Sequence, residues 1–161
     1  MPAELALAAP AAIPGEIVEW LDRRSFRPPS GLRAETVAAL PGWIAAARAE
    51  AAPAARNDIL RLFRLLAAAL PPQFGMVEKE AIPLYLRGLA DLPAQALPDT
   101  LDDLLRSMKH FPTIAHIREA AQPHANRLHR RRLLLERLQA AHDEAARRGA
   151  DIPEVWESVR W

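Results

Sequence analysis

The sequence predicts an all-α protein, a compact multi-helix bundle with a long basic C-terminal helix. Half of the 161 residues are apolar but only 6% are aromatic, Ala and Leu dominate, and there are only six Gly. This mixture favours helix packing over strand pairing. Apolar side chains recur at a helical period in most segments, and fifteen prolines mark places where helices begin or end.

Two stretches before residue 55 have helical patterns. The first helix is predicted from about Pro14 to Arg24, with apolar residues at helical spacing. The second stretch, 34–52, contains the letters LPGW. Because proline usually begins or ends a helix, we expect a short helix to Leu40 and a new one from Pro41.

The middle of the chain contains three predicted helical segments. The stretch ARNDILRLFRLLAAALPP has the period of a core-facing helix, through Ile59, Leu62, Phe63, Leu66 and Leu70. The next stretch, MVEKEAIPLYLRGLADLP, is a helix in which Pro83 either makes a kink or starts the helix afresh. Residues 93–109 form another apolar stripe, which Phe111 and Pro112 close.

The last third is predicted to begin with a helix capped by Thr113, although His116 stands where a capping box has Glu or Gln. Pro123 is expected to interrupt this helix, and a long helix is expected to run from about His124 to Arg148. Gly149 is a natural stop, and DIPEVWESVRW adds a short terminal helix. We therefore divide the chain into a flexible N-terminus (1–12), a helical body (13–122) and a basic helical arm with a short terminal helix (123–161).

Charge is distributed unevenly, although the net charge is only +1. Residues 89–105 contain four acids and no Lys or Arg, whereas residues 106–148 contain ten Lys or Arg and four acids. The basic helix could therefore lie against phosphates, against an acidic protein surface, or against the chain's own Asp99, Asp102 and Asp103.

The arm is the candidate site, because its helix combines a basic flank with an apolar stripe. Arg130 and Arg137 fall beside Leu134 and Leu138, an arrangement typical of helices that bind in a groove of a partner. We expect this helix to lie partly off the body. The predicted partner-binding residues are Arg127, Arg130, Arg131, Arg132, Leu134, Arg137, Leu138, Trp156 and Trp161.

Several function classes find no support in the sequence. There is no Cys, no glycine-rich phosphate loop and no nucleophile motif, so we expect neither an enzyme nor a cofactor. The five His are spaced so that they do not converge, so no metal is expected. No segment is apolar enough to span a membrane, and a cytoplasmic location is expected. DNA contact is expected to be weak and non-specific at most.

One stretch resembles a known family. IPLYLRGLADLPAQALPDTLDDLLRSMKHFPTIAHIREAA contains Tyr85, a leucine-proline step at Leu92 and Pro93, an apolar helix, and then FPTIAHIR. This order is similar to small phage and prophage replication proteins that resemble replicative-helicase loaders, over about 40 of the 161 residues. His116 stands where that pattern has an acid, so no charge contact is carried over to that position.

The resemblance implies a replication accessory protein, a loader or inhibitor without its own ATPase, whose partner is a replicative helicase. Two alternatives stay open. The chain could be a helical adaptor or counter-defence regulatory protein that acts by protein–protein contact, or a weak non-specific DNA-binding protein.

Overall fold

A computed structural model describes residues 12–23, 27–72 and 78–159, and within these ranges the chain is all-α, as predicted. The helices are α1 (Gly15–Asp22), α2 (Ala34–Glu50), α3 (Arg56–Ala69), α4 (Glu78–Gly88), α5 (Leu97–Ser107), α6 (Ile114–Arg148) and α7 (Ile152–Val155), with a 3₁₀ turn at Ala94–Ala96. The prediction of a long C-terminal helix is confirmed by α6, which has 35 residues. None of the helices in the described ranges is long and apolar enough to cross a membrane.

The chain forms two compact units, which are described separately below. The terminal unit consists of the described residues up to Ala47 together with those from Arg131 onward. The central unit runs from Arg48 to Arg130. Helix α6 therefore supplies its first half to the central unit and its second half to the terminal unit.

The terminal unit is built from α1, most of α2, the second half of α6, and α7. Its apolar core joins one face of each helix, and two indole rings pack edge to face within it, with the centroids of Trp20 and Trp156 5.8 Å apart. Helix α6 ends at Gly149, whose φ of 63° is left-handed, and the amide of Ala150 donates to the carbonyl of Ala145 (3.1 Å). The predicted glycine stop is confirmed, since glycine adopts this conformation without strain.

The central unit is built from α3, α4, α5 and the first half of α6. Three aromatic rings meet in its core, Phe63, Tyr85 and Phe111, with centroid distances of 4.9 to 5.6 Å. The predicted apolar face of α3 is confirmed, because Ile59, Leu62, Phe63, Leu66 and Leu70 are all buried. Two short connections pair at Pro53 and Pro93, where the amide of Ala54 donates to the carbonyl of Leu92 (2.7 Å).

Prolines lie beyond the first two positions in three of the described helices, and two of the boundaries expected at proline are wrong. Helix α2 continues through Pro41, and α6 continues through Pro123. Proline costs about 3 kcal/mol inside a helix, because a hydrogen bond is lost and the ring crowds the preceding turn. Burial on both sides offsets this cost, as at Leu40 and Trp43 in α2, which are 0% and 3% exposed. At Pro83, where both outcomes were open, α4 is also continuous.

Candidate partner-binding surfaces

The apolar stripe predicted for the arm is part of the core of the terminal unit. Leu134 and Leu138 are 2% and 0% exposed, and they pack in one cluster with Ile17, Trp43 and other side chains. The expectation that this helix lies partly off the body, with these leucines as anchors for a partner, is therefore corrected. Their helical spacing was read correctly, but α1, α2 and α7 cover the stripe instead of a partner.

Arg137 also belongs to the interior of the terminal unit. Its side chain is 7% exposed, and its guanidinium donates to the backbone carbonyl of Trp156 (2.6 Å) and lies 4.3 Å from the centroid of that indole ring. A buried cation needs such compensation. Arg137 therefore fixes the segment after α7 and does not present a charge to a partner.

The first half of α6 lies against the acidic segment of the same unit. Arg127 donates to Asp99 (2.9 Å), and the ring of His124 lies between two carboxylates, 2.7 Å from Asp103 and 3.5 Å from Asp99. Asp103 also faces Arg106 at 3.7 Å. The basic helix was expected to lie against phosphates, an acidic protein surface or the chain's own acids. The first half of α6 lies against the chain's own acids.

A bidentate ion pair joins α6 to the end of α4. The guanidinium of Arg118 donates to both carboxylate oxygens of Asp91, at 2.6 and 2.8 Å, and to the carbonyl of Gly88 at 2.7 Å. These hydrogen bonds hold the pKa of Asp91 below its ordinary value and raise the pKa of Arg118. Both side chains are about half exposed, so the pair orients the helices more than it stabilises the unit.

The remaining predicted residues are placed as follows. Arg130, Arg131 and Arg132 are half-buried. Arg130 and Arg131 each interact with another group of the molecule. Trp156 is 1% exposed in the core of the terminal unit, and Trp161 lies outside the described residues. No three His, Asp or Glu side chains in the described ranges are grouped so that they could hold a metal ion.

The segment with the family resemblance folds around contacts between its own pieces. The hydroxyl of Tyr85 donates to the carbonyl of Pro112 (2.6 Å), which ties the tyrosine to the Phe-Pro step. Burial raises the pKa of this hydroxyl. Arg118, the arginine of FPTIAHIR, makes the ion pair to Asp91 beside the leucine-proline step.

His116 has a local role that explains its position. Its amide donates to the hydroxyl of Thr113 (3.3 Å), and its Nδ1 lies 3.4 Å from the amide of Thr113. This is the reciprocal arrangement of a capping box, with an imidazole in the place of the usual Glu or Gln. The predicted Thr113 cap is confirmed, and the acid of the family pattern would fit the same capping position.

Comparison of the chain with protein-family models, with curated proteins and with solved structures found no significant match. The surfaces of the molecule therefore have to be judged from their own chemistry.

Sequence reasoning did not identify two grooves on the central unit. One groove lies between α3 and α5 and includes Leu65, which is 44% exposed, together with one acid and one base, Asp58 and Arg61. The other lies between α3 and α4 and has only basic residues among its charged members, Arg56 and Arg87. In both grooves, the residues on one helix are about 30 or more positions from those on the other helix, so no local sequence pattern brings them together.

Proposed function

We propose that the chain is a phage or prophage-type DNA-replication accessory protein that binds a replicative helicase, as a loader or inhibitor without its own ATPase. The observation that carries this proposal is the Tyr85–Pro112 hydrogen bond, because it joins two pieces of the family-like segment that are 27 residues apart. A resemblance made of unrelated helix fragments would not require its pieces to meet. A cytoplasmic location is part of the proposal.

The proposal rests on protein–protein contact and not on chemistry. Two arginines of α6 are used inside the fold: Arg137 holds the Trp156 carbonyl, and Arg118 holds Asp91. The described part of the central unit has open apolar surface in the grooves between α3 and α5 and between α3 and α4. Such surface is typical of helical adaptors that bind other proteins.

Direct DNA binding is a weaker candidate. A DNA-binding surface on the basic helix would use Arg127, Arg130, Arg131, Arg132 and Arg137. Of these five, Arg127 is paired with Asp99 and Arg137 is buried. At about 0.9 counterions released per phosphate contact, losing two of five contacts reduces the expected log–log salt slope from about −4.5 to about −2.7. Fewer phosphate contacts give less electrostatic affinity, so we expect DNA binding to be weak and non-specific.

The experiment mixes the full chain with the replicative helicase of the organism that carries its gene and measures complex mass by size-exclusion chromatography with light scattering. We expect a complex at micromolar concentrations, and altered loading of the helicase onto single-stranded DNA coated with single-strand-binding protein. The chain alone should hydrolyse no ATP. Absence of a complex at roughly 50 µM of each protein, well above micromolar affinity, would reject the proposal.

A charge-reversed variant, Arg131→Glu with Arg132→Glu, and nuclease treatment examine the DNA alternative. Both arginines are half-buried and belong to the basic helix predicted for the arm. We expect this variant to lose DNA binding. Because Arg131 and Arg132 are also predicted partner-binding residues, the separation comes from nuclease treatment of the wild-type mixture. Helicase capture that persists after the treatment supports protein–protein contact, whereas capture that is lost favours a complex bridged by nucleic acid.

A further inference from the structure

The groove between α3 and α4 has an apolar floor that the central unit leaves uncovered. It is an open volume of about 450 Å³ whose principal lining residues are Arg56, Ile59, Ile82, Pro83, Leu86 and Arg87. Ile59 is buried at its base, whereas Ile82 and Leu86 are half-buried and Pro83 is exposed. The volume lies within the roughly 300–1,000 Å³ typical of ligand-binding pockets.

The apolar residues of α4 are arranged along the groove. Ile82 and Leu86 are four residues apart, and Ala90, four residues further, also lines the groove just after the helix ends. Residues spaced by four lie on one face of a helix. Two packed helices with such a face between them offer a row of positions into which the side chains of a third helix fit.

The charge at the rim of the groove is positive, because Arg56 and Arg87 are the charged side chains among the residues that line it. Asp58 lies two residues after Arg56, and its carboxylate accepts from the amide of Ala55 (2.9 Å) and not from Arg56. Asp91 lies four residues after Arg87, beyond the end of α4, and its carboxylate accepts from two nitrogens of Arg118. Among the described side chains, Arg56 and Arg87 therefore have no acidic partner.

We propose that this groove binds an acidic amphipathic helix of the protein partner. The apolar floor would take Leu, Ile or Met side chains at helical spacing, and Asp or Glu on the flanks would face Arg56 and Arg87. The inference rests on the proposed function in that the partner is a protein, and it adds the binding surface and the chemistry of the segment that occupies it. The groove between α3 and α5 does not favour such a segment, because Asp58 and Arg61 give it both charges.

The test uses two synthetic peptides of about 18 residues, or five helical turns. Both carry Leu at helical spacing. One has Glu on its flanks, and its matched partner has Lys at the same positions. Binding to the full chain is measured by fluorescence anisotropy and by methyl NMR. We expect the Glu peptide to bind about tenfold more tightly than the Lys peptide, with methyl shifts concentrated at Ile59, Ile82 and Leu86.

Variants of the full chain then assign the charge effect to the groove. Arg56→Glu with Arg87→Glu should weaken the Glu peptide by about tenfold and reverse the preference in favour of the Lys peptide. Arg61→Glu with Arg64→Glu makes the same change in net charge on exposed positions of α3. We expect this control pair to change the affinity less than about twofold, because surface charges outside the contact act weakly through screening.

Several outcomes would overturn the inference. They are equal binding of the two peptides, binding of neither, methyl shifts outside the groove, or equal effects of the two variant pairs. Displacement of the Glu peptide by single-stranded DNA would assign the rim to phosphate instead. Self-association of the wild type that is lost in the Arg56, Arg87 variant would assign the groove to a second copy of the chain.

Helicase capture by the same variants separates this inference from the proposed function. If the Glu peptide occupies the groove but no helicase is captured, the inference about the groove is supported and the proposed function is rejected. If the Arg56, Arg87 variant captures helicase as well as the wild type does, the groove is rejected as the partner-binding site and the proposed function is supported.

Discussion

The two halves of α6 differ in what they contact. In the central unit the first half uses polar groups, through Arg118, His124 and Arg127, to meet acids that lie earlier in the same unit. In the terminal unit the second half uses Leu134, Leu138 and their neighbours to build an apolar core. One continuous helix therefore has two kinds of packing. The basic residues of its first half form ion pairs, whereas its second half packs through apolar side chains.

The energetic weight of the two halves should differ accordingly. Ion pairs at exposed positions contribute about 0–1 kcal/mol each, whereas a fully buried leucine contributes several kcal/mol. Loss of one leucine should therefore matter more than loss of any one of the pairs.

The largest effect is expected for Leu138→Ala. Leu138 is 0% exposed in the core of the terminal unit, so truncation removes buried methyl groups and leaves a cavity. We expect the free energy of unfolding to fall by about 3 kcal/mol in urea denaturation followed by circular dichroism. Leu65→Ala is the matched control, because Leu65 is 44% exposed, and its effect should stay within about 0.5 kcal/mol. Equal small effects would mean that the second half of α6 is not core.

Tyr85→Phe should have the next largest effect. It removes the hydroxyl that donates to Pro112 and leaves that carbonyl without its partner, while the ring contacts to Phe63 and Phe111 remain. We expect a loss of about 1–2 kcal/mol in the same denaturation experiment. An unchanged stability would show that the bond does not hold the Phe-Pro step.

The same hydroxyl can be followed directly, because Tyr85 is the only tyrosine in the chain. Burial raises the pKa of its phenol above the ordinary value of 10.0. The stabilisation that this shift represents is complete below pH 10 and is lost as the pH rises through the folded pKa. Ultraviolet absorbance of tyrosinate should therefore titrate at higher pH in the folded chain than in denaturant, and coincident titrations would contradict burial of the hydroxyl.

Gly88→Ala is expected to destabilise the central unit by about 1 kcal/mol. An added methyl group would lie 2.9 Å from Cγ2 of Ile114 at the start of α6, and the strain exceeds the gain in helix propensity. Gly42→Ala in α2 is the control, because nothing lies within 4 Å of the position. That substitution should raise stability by about 0.5–1 kcal/mol. If both substitutions changed the midpoint of thermal unfolding in the same direction, the close contact between Gly88 and Ile114 would be contradicted.

The smallest effect is expected for Asp91→Asn, which breaks the exposed pair with Arg118. At pH 7 the loss should be below about 1 kcal/mol. The pKa of Asp91 is lowered in the folded chain, so the contribution is present above its ordinary value of 3.8 and disappears as the pH falls through the folded pKa. The stability difference between wild type and variant should therefore vanish at acid pH. A difference that persists at a pH where Asp91 is protonated in the folded chain would assign it to something other than the carboxylate.

Much of the fold could be predicted from the sequence, because it depends on local periodicity. The apolar face of α3 and the glycine stop after α6 follow from the identity and spacing of nearby residues. Continuity through Pro123 could not be predicted, since the local cost of proline is outweighed by burial of Ile117 and Ala121, 1% and 0% exposed, on the preceding turns.

The candidate site was harder to predict for a physical reason. An amphipathic pattern such as Leu134 and Leu138 beside Arg130 shows that a face will be covered, but not by which surface. The groove between α3 and α4 depends on how two helices pack, and its charge depends on which residues of the two helices line it. Both facts require tertiary structure.

The central claim, that the second half of α6 is core and not a detached arm, can be tested most directly by amide hydrogen exchange on the intact chain. We predict that amides from Leu134 to Ala145 exchange as slowly as those of the terminal unit's other core helix segment, Leu40–Ala47, since both lie in one apolar cluster. Exchange of Leu134–Ala145 at the rate of an isolated helix, while Leu40–Ala47 stays protected, would contradict the account.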